Sequence, residues 1–65
     1  MMTVDEIYFV SMFKGADLGE TIANVFDALA DMSDEGYKEI GESALGKLIE
    51  MSEEEYEKIP FESAK

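Results

Sequence analysis

The pattern Met-Ser-acid-acid-x-Tyr-x-x-Ile occurs twice in this chain. It stands once as Met32-Ser33-Asp34-Glu35-Gly36-Tyr37-Lys38-Glu39-Ile40 and again as Met51-Ser52-Glu53-Glu54-Glu55-Tyr56-Glu57-Lys58-Ile59. Each copy reads as the start of a helix. Serine at the N-cap accepts a hydrogen bond from a first-turn N–H that has no partner within the helix. The methionine before the serine and the tyrosine four residues after it stand where a hydrophobic staple closes. The acids between them face the positive end of the helix dipole. In the second copy Glu55 follows Ser52 by three residues and completes a capping box. The repeat therefore starts two helices and points Tyr and Ile the same way in both, with Tyr37 and Tyr56 read as core. It names no reaction and no ligand.

Two further starts precede it. Thr3-Val4-Asp5-Glu6 is a capping box that opens a helix over about 4–13. Its run Ile7-Tyr8-Phe9-Val10-Ser11-Met12-Phe13 would also suit a buried strand, which periodicity alone does not separate from helix. The box, and the lack of a second strand to pair with, favour helix. Lys14 and Gly15 then supply a C-terminal charge and a C′ glycine. Asp17, with Glu20 completing an acid-x-x-acid box, opens a second helix over about 18–31. Its stripe is Leu18, Ile22, Val25, Phe26, Leu29 and Met32, and Glu20, Asn24, Asp27 and Asp31 take the opposite face.

The third helix, 34–50, carries Tyr37, Ile40, Ala44, Leu45, Leu48 and Met51 in its stripe. Gly41 falls inside that stripe, where a missing side chain admits a neighbouring helix, whereas Gly46 falls on the wet face. The fourth helix, 53–59, stops before Pro60, whose ring disfavours helix in the residue before it. Residues 60–65 read as a frayed tail from which Phe61 is apolar enough to tuck back. Connections this short make neighbouring helices antiparallel. The expected fold is all-α, one domain over 1–65, a small three-helix bundle with a short fourth C-terminal helix.

Composition bounds what such a bundle does. Sixteen acids against five lysines leave a net charge of −11, which opposes direct nucleic-acid binding and attachment to anionic membranes. A basic protein is the natural partner, and a merely solvated acidic face is the plain alternative. Cysteine and histidine are absent, which removes disulfides, thiolate or imidazole metal sites and the commonest catalytic groups. No stretch approaches the roughly 18 apolar residues of a spanning helix. Asp5 and Glu6 stand where a signal peptide would be positive, so the expected location is cytoplasmic.

The candidate sites are few. Asp31-Met32-Ser33-Asp34-Glu35-Gly36 through Glu42 can be laid on the calcium-loop pattern, with Asp31, Ser33 and Glu35 as early ligands and Glu42 last. If a cap starts the helix there, the residues after it cannot wrap an ion, so no metal and no cofactor is expected. The carboxylates fall on wet faces, where nothing raises a pKa for acid–base work, and no catalytic residue is assigned. The first helix is apolar nearly all the way round, which a small bundle cannot cover. Phe9, Met12 and Phe13 are therefore the candidate partner surface, for a protein partner or a homodimer.

Several segments taken together carry a resemblance. They are Met2-Thr3-Val4-Asp5-Glu6-Ile7, Ala28-Leu29 with Asp31, Glu39-Ile40-x-Glu42-Ser43-x-Leu45-x-Lys47-Leu48, and Met51-Ser52-x-x-Glu55-Tyr56. In these the chain resembles the short acidic TnpW-like proteins encoded on mobilisable transposons of Firmicutes. Tyr8 to Asp17 departs from that pattern. The resemblance implies a cytoplasmic accessory protein of a mobile element and supplies no catalytic residue. The leading expectation is a non-enzymatic protein-interaction module. The alternative is a DNA mimic that inhibits a nucleic-acid-binding enzyme, with Asp27, Asp31, Glu50, Glu53, Glu54, Glu55 and Glu57 standing in for phosphates.

Overall fold

The helix starts set the architecture. The computed structural model describes residues 2–61, so residues 62–65 of the expected tail lie outside the described part. Four helices follow one another: α1 Val4–Phe13, α2 Leu18–Ala30, α3 Glu35–Glu50 and α4 Glu53–Glu57. All regular structure among the described residues is helical, which resolves Ile7–Phe13 as helix rather than strand. The three longer helices pack pairwise, most extensively α1 on α3, to give the small helical bundle.

Three caps form where the sequence places them, and one does not. Thr3 Oγ1 accepts from the Glu6 amide at 3.2 Å, and Glu6 Oε1 accepts from the Thr3 amide at 2.7 Å. Asp17 Oδ1 accepts from the Glu20 amide at 2.8 Å. Ser52 and Glu55 close their box at 3.1 and 2.9 Å. In the first copy of the repeat, however, the cap is Asp34 rather than Ser33. Its Oδ1 accepts from the Tyr37 amide at 3.0 Å. Aspartate caps as well as serine does, whereas the matching Glu53 in the second copy is a methylene too long to compete. The two helices thus begin one residue out of register with each other.

That shift decides where the tyrosines go. Tyr56 is four residues past its cap and Tyr37 three, and one residue on a helix is a turn of about 100°. Tyr56 is buried at 4% exposure, while Tyr37 is 49% exposed. Tyr37 is therefore not the core residue that the repeat suggested.

The core is Phe9, Val10, Leu18, Val25, Leu29, Ala44, Leu48, Tyr56 and Phe61. Phe9 is 1% exposed, and Phe13 packs partly buried beside it with ring centroids 5.1 Å apart. Neither ring anchors a surface patch, and the expectation for these two residues is corrected. Phe26 corrects the α2 stripe in the other direction, at 62% exposed, while Thr21 is fully buried. α4 ends at Glu57, earlier than expected, with Lys58 as its C-cap. Phe61 folds back from the expected tail, edge-on to Tyr56 at 5.5 Å, with Lys14 Nζ 5.3 Å from its ring centre.

The end of α1 also differs. Among the described residues no glycine has positive φ, so Gly15 is not a left-handed cap. The chain leaves the helix extended at Lys14, and Asn24 Nδ2 donates to the Phe13 carbonyl at 3.0 Å instead.

Gly41 sits where α1, α2 and α3 meet. A Cβ there would stand 2.6 Å from both Leu29 Cδ2 and Phe9 Cζ, whereas one on Gly46 would meet nothing within 4 Å. Two substitutions of identical chemistry should then have opposite signs. Gly46→Ala should raise stability by roughly 0.5–1 kcal/mol through helix propensity. Gly41→Ala should lower it by about 1–3 kcal/mol through overpacking. Urea unfolding of both variants checks this; two shifts of the same sign would refute the helix contact at Gly41.

Candidate functional site

α1 is oriented by a charge. Glu6 is 4% exposed, although a helix wheel drawn on hydrophobicity alone would turn it outward. Its Oε1 accepts from Thr3 N and from Lys47 Nζ, each at 2.7 Å, and its Oε2 accepts from Ser43 Oγ. One carboxylate therefore closes the cap of α1 and joins α1 to α3. Burial opposes its ionisation, but the hydrogen bonds from Lys47, Ser43 and Thr3, with the Lys47 charge, prevail and hold its pKa at about 2. Its oxygens are already engaged by three donors, so Glu6 serves as a structural anion and a poor general base.

With Glu6, Phe9, Val10 and Phe13 facing in, the helical period turns Val4, Tyr8 and Met12 out. These are 70%, 44% and 50% exposed. Ser11, beside Val4 at the edge of this stripe, donates back to the Tyr8 carbonyl at 2.6 Å. Of the expected partner surface, Met12 lies on an exposed face and Phe9 and Phe13 do not join it. Val4 and Tyr8 take their place. No signal along α1 marked them, because its rotation goes with Glu6 meeting Ser43 and Lys47 across the fold.

A second polar link is buried. Thr21 Oγ1 lies 2.6 Å from Tyr56 Oη and accepts from the Gly15 amide at 2.9 Å. Burial pushes the Tyr56 phenol up, the Thr21 bond opposes this, and the Glu53 and Asp17 charges add to the rise. The phenol is neutral and serves to hold α4 on α2.

A groove of about 840 Å³ lies beside the first residues of α1 and the junction of α3 with α4, with Met2, Ile7, Met51 and Ile59 among its lining. The acids singled out from the sequence, Asp27, Asp31, Glu50, Glu53, Glu54, Glu55 and Glu57, are all exposed. They do not form one row. Asp27 and Asp31 are a turn apart at the end of α2, and Asp31 is its C-cap. The α4 glutamates fan round a helix of five residues, because successive residues there differ by about 100°.

The calcium-loop pattern fails on geometry. From Glu35 onward the chain is helix, and Asp34 is spent on the Tyr37 amide, so Glu35 and Glu42 cannot curl round an ion with Asp31 and Ser33. Among the described residues no helix is long and apolar enough to cross a membrane.

The chain matches, over residues 2–62, the family described as "Putative transposon-transfer assisting protein" (TTRAP). No curated protein and no solved structure matches it.

Proposed function

Since the chain belongs to the transposon-transfer assisting family, we propose that it acts as a non-enzymatic interaction module that docks a protein partner through the outward face of α1. The observation that carries this reading is the stripe Val4, Tyr8 and Met12, exposed on consecutive turns of one helix. Polar residues at those positions would cost the bundle nothing, whereas contiguous apolar surface marks an interface and aromatic and methionine side chains are enriched there. The likeness to TnpW-like proteins of Firmicutes elements supports the same accessory role, in the cytoplasm. The fan of α4 glutamates favours this reading over DNA mimicry, which needs carboxylates in a row.

Capture from cells carrying the element, with intact protein and with Tyr8→Glu and Met12→Glu as baits, tests the proposal. The variants should keep full helicity by circular dichroism and lose the partner that the intact bait retains. Equal recovery by all three baits would remove α1 as the docking face. If Tyr8→Glu instead splits a dimer seen in sedimentation, the occupant of the face is a second copy of the chain.

A further inference from the structure

The groove beside α1 has a chemistry distinct from the exposed stripe. Its floor carries Met2, Ile7, Met51 and Ile59, each partly buried against the core rather than inside it. Two of the four are methionines, whose flexible thioethers adapt to varied apolar partners. Along its edge stand Glu50 and Glu55, with Lys47 and Lys58. Each lysine already faces a carboxylate: Lys47 Nζ is 2.7 Å from Glu6 and Lys58 Nζ is 3.8 Å from Glu54. With both lysines paired, Glu50 and Glu55 leave the edge of the groove acidic.

We propose that this groove takes a basic amphipathic helix of a partner protein. The apolar side of that helix would lie on the methionine-rich floor and its lysines or arginines against Glu50 and Glu55. The inference rests on the interaction-module reading and adds to the α1 face a second docking site with its own chemistry. Charge argues for this occupant. A second copy of the chain would bring another net charge of −11 against the same glutamates, and like charges across an interface are costly. Helix-in-groove docking needs an apolar floor and a complementary rim, and both are here.

The probe is a model amphipathic helix of leucine and lysine, titrated into the isotope-labelled full chain at physiological salt, with a leucine–glutamate helix as control. Saturable amide shifts centred on Ile7, Met51 and Ile59 are expected, with no binding of the control. Met51→Glu should weaken binding about tenfold or more. So should Glu50→Lys, which changes an exposed side chain at the edge of the groove. Shifts spread equally over Asp27 and Asp31 without saturation would mean charge attraction alone, and would overturn the groove. Equal binding of the glutamate helix would overturn the basic partner. If Tyr8→Glu abolishes binding and Met51→Glu does not, the groove fails while the module reading on α1 stands.

Discussion

Replacing Phe9 by alanine should abolish the cooperative unfolding transition of this protein at ordinary temperature. Truncating a buried phenylalanine costs about 3–5 kcal/mol, and a core in a chain of this length rarely supplies more than about that much in total. Phe9 is the ring on which the bundle converges. It is 1% exposed, it lies against Phe13 with centroids 5.1 Å apart, and it meets Gly41 of α3 closely enough to exclude a Cβ. Met12, one turn on and rotated toward solvent, is 50% exposed, so Met12→Ala should change stability by no more than about 0.5 kcal/mol. Denaturant unfolding followed at the helix band compares the two. An unaltered midpoint for Phe9→Ala would place that ring on the surface after all.

The second large effect is at acid pH. The ordinary pKa of a glutamate here is 4.5, and Glu6 in the folded protein is held at about 2. A depressed folded pKa stabilises the fold above the unfolded value, and the contribution is lost as pH falls from about 4.5 through about 2. The shift corresponds to roughly 3 kcal/mol, taking 1.36 kcal/mol per pKa unit. The chain also carries a net charge of −11 at neutral pH, and any loss of that charge in acid relieves self-repulsion and works the opposite way. The clean measurement is therefore a difference. At neutral pH intact protein should be more stable than Glu6→Gln, and the gap should shrink by roughly 3 kcal/mol between pH 4.5 and 2. A gap that does not change with pH would show that Glu6 is not held as a paired anion.

The parts of this structure that were legible in the sequence are those governed by neighbours along the chain. Thr3-Glu6, Asp17 and Ser52-Glu55 located three helix starts, because a cap needs only residues within one turn. Gly41 was legible as a close approach, since it interrupts an otherwise apolar stripe. Rotation about the helix axis was not legible. α1 is apolar on nearly every side, so hydrophobicity gives it no preferred face, and its orientation is set by Glu6 meeting Ser43 and Lys47. Those partners are remote in sequence, and the pairing takes Phe9 and Phe13 inward while Met12 stays out. Thr21 was passed over for the same reason: its partner Tyr56 is on another helix. The cap at Asp34 was missed because two adjacent residues could each serve, and the loser differed by one position.

The two polar links have a consequence for synthesis. Glu6 and Thr21 are made early and buried in the finished fold, yet their partners Lys47 and Tyr56 are made late. A chain that has emerged only as far as α2 holds a carboxylate that can be buried only at a high desolvation cost. Contacts such as Asn24 with the Phe13 carbonyl and Thr21 with the Gly15 amide lie within the first two helices, but the groups that neutralise Glu6 come only with α3. The molecule is thus committed to folding as one unit once its last helix is available, and any form that stops before Tyr56 lacks the bond that holds α4 on α2.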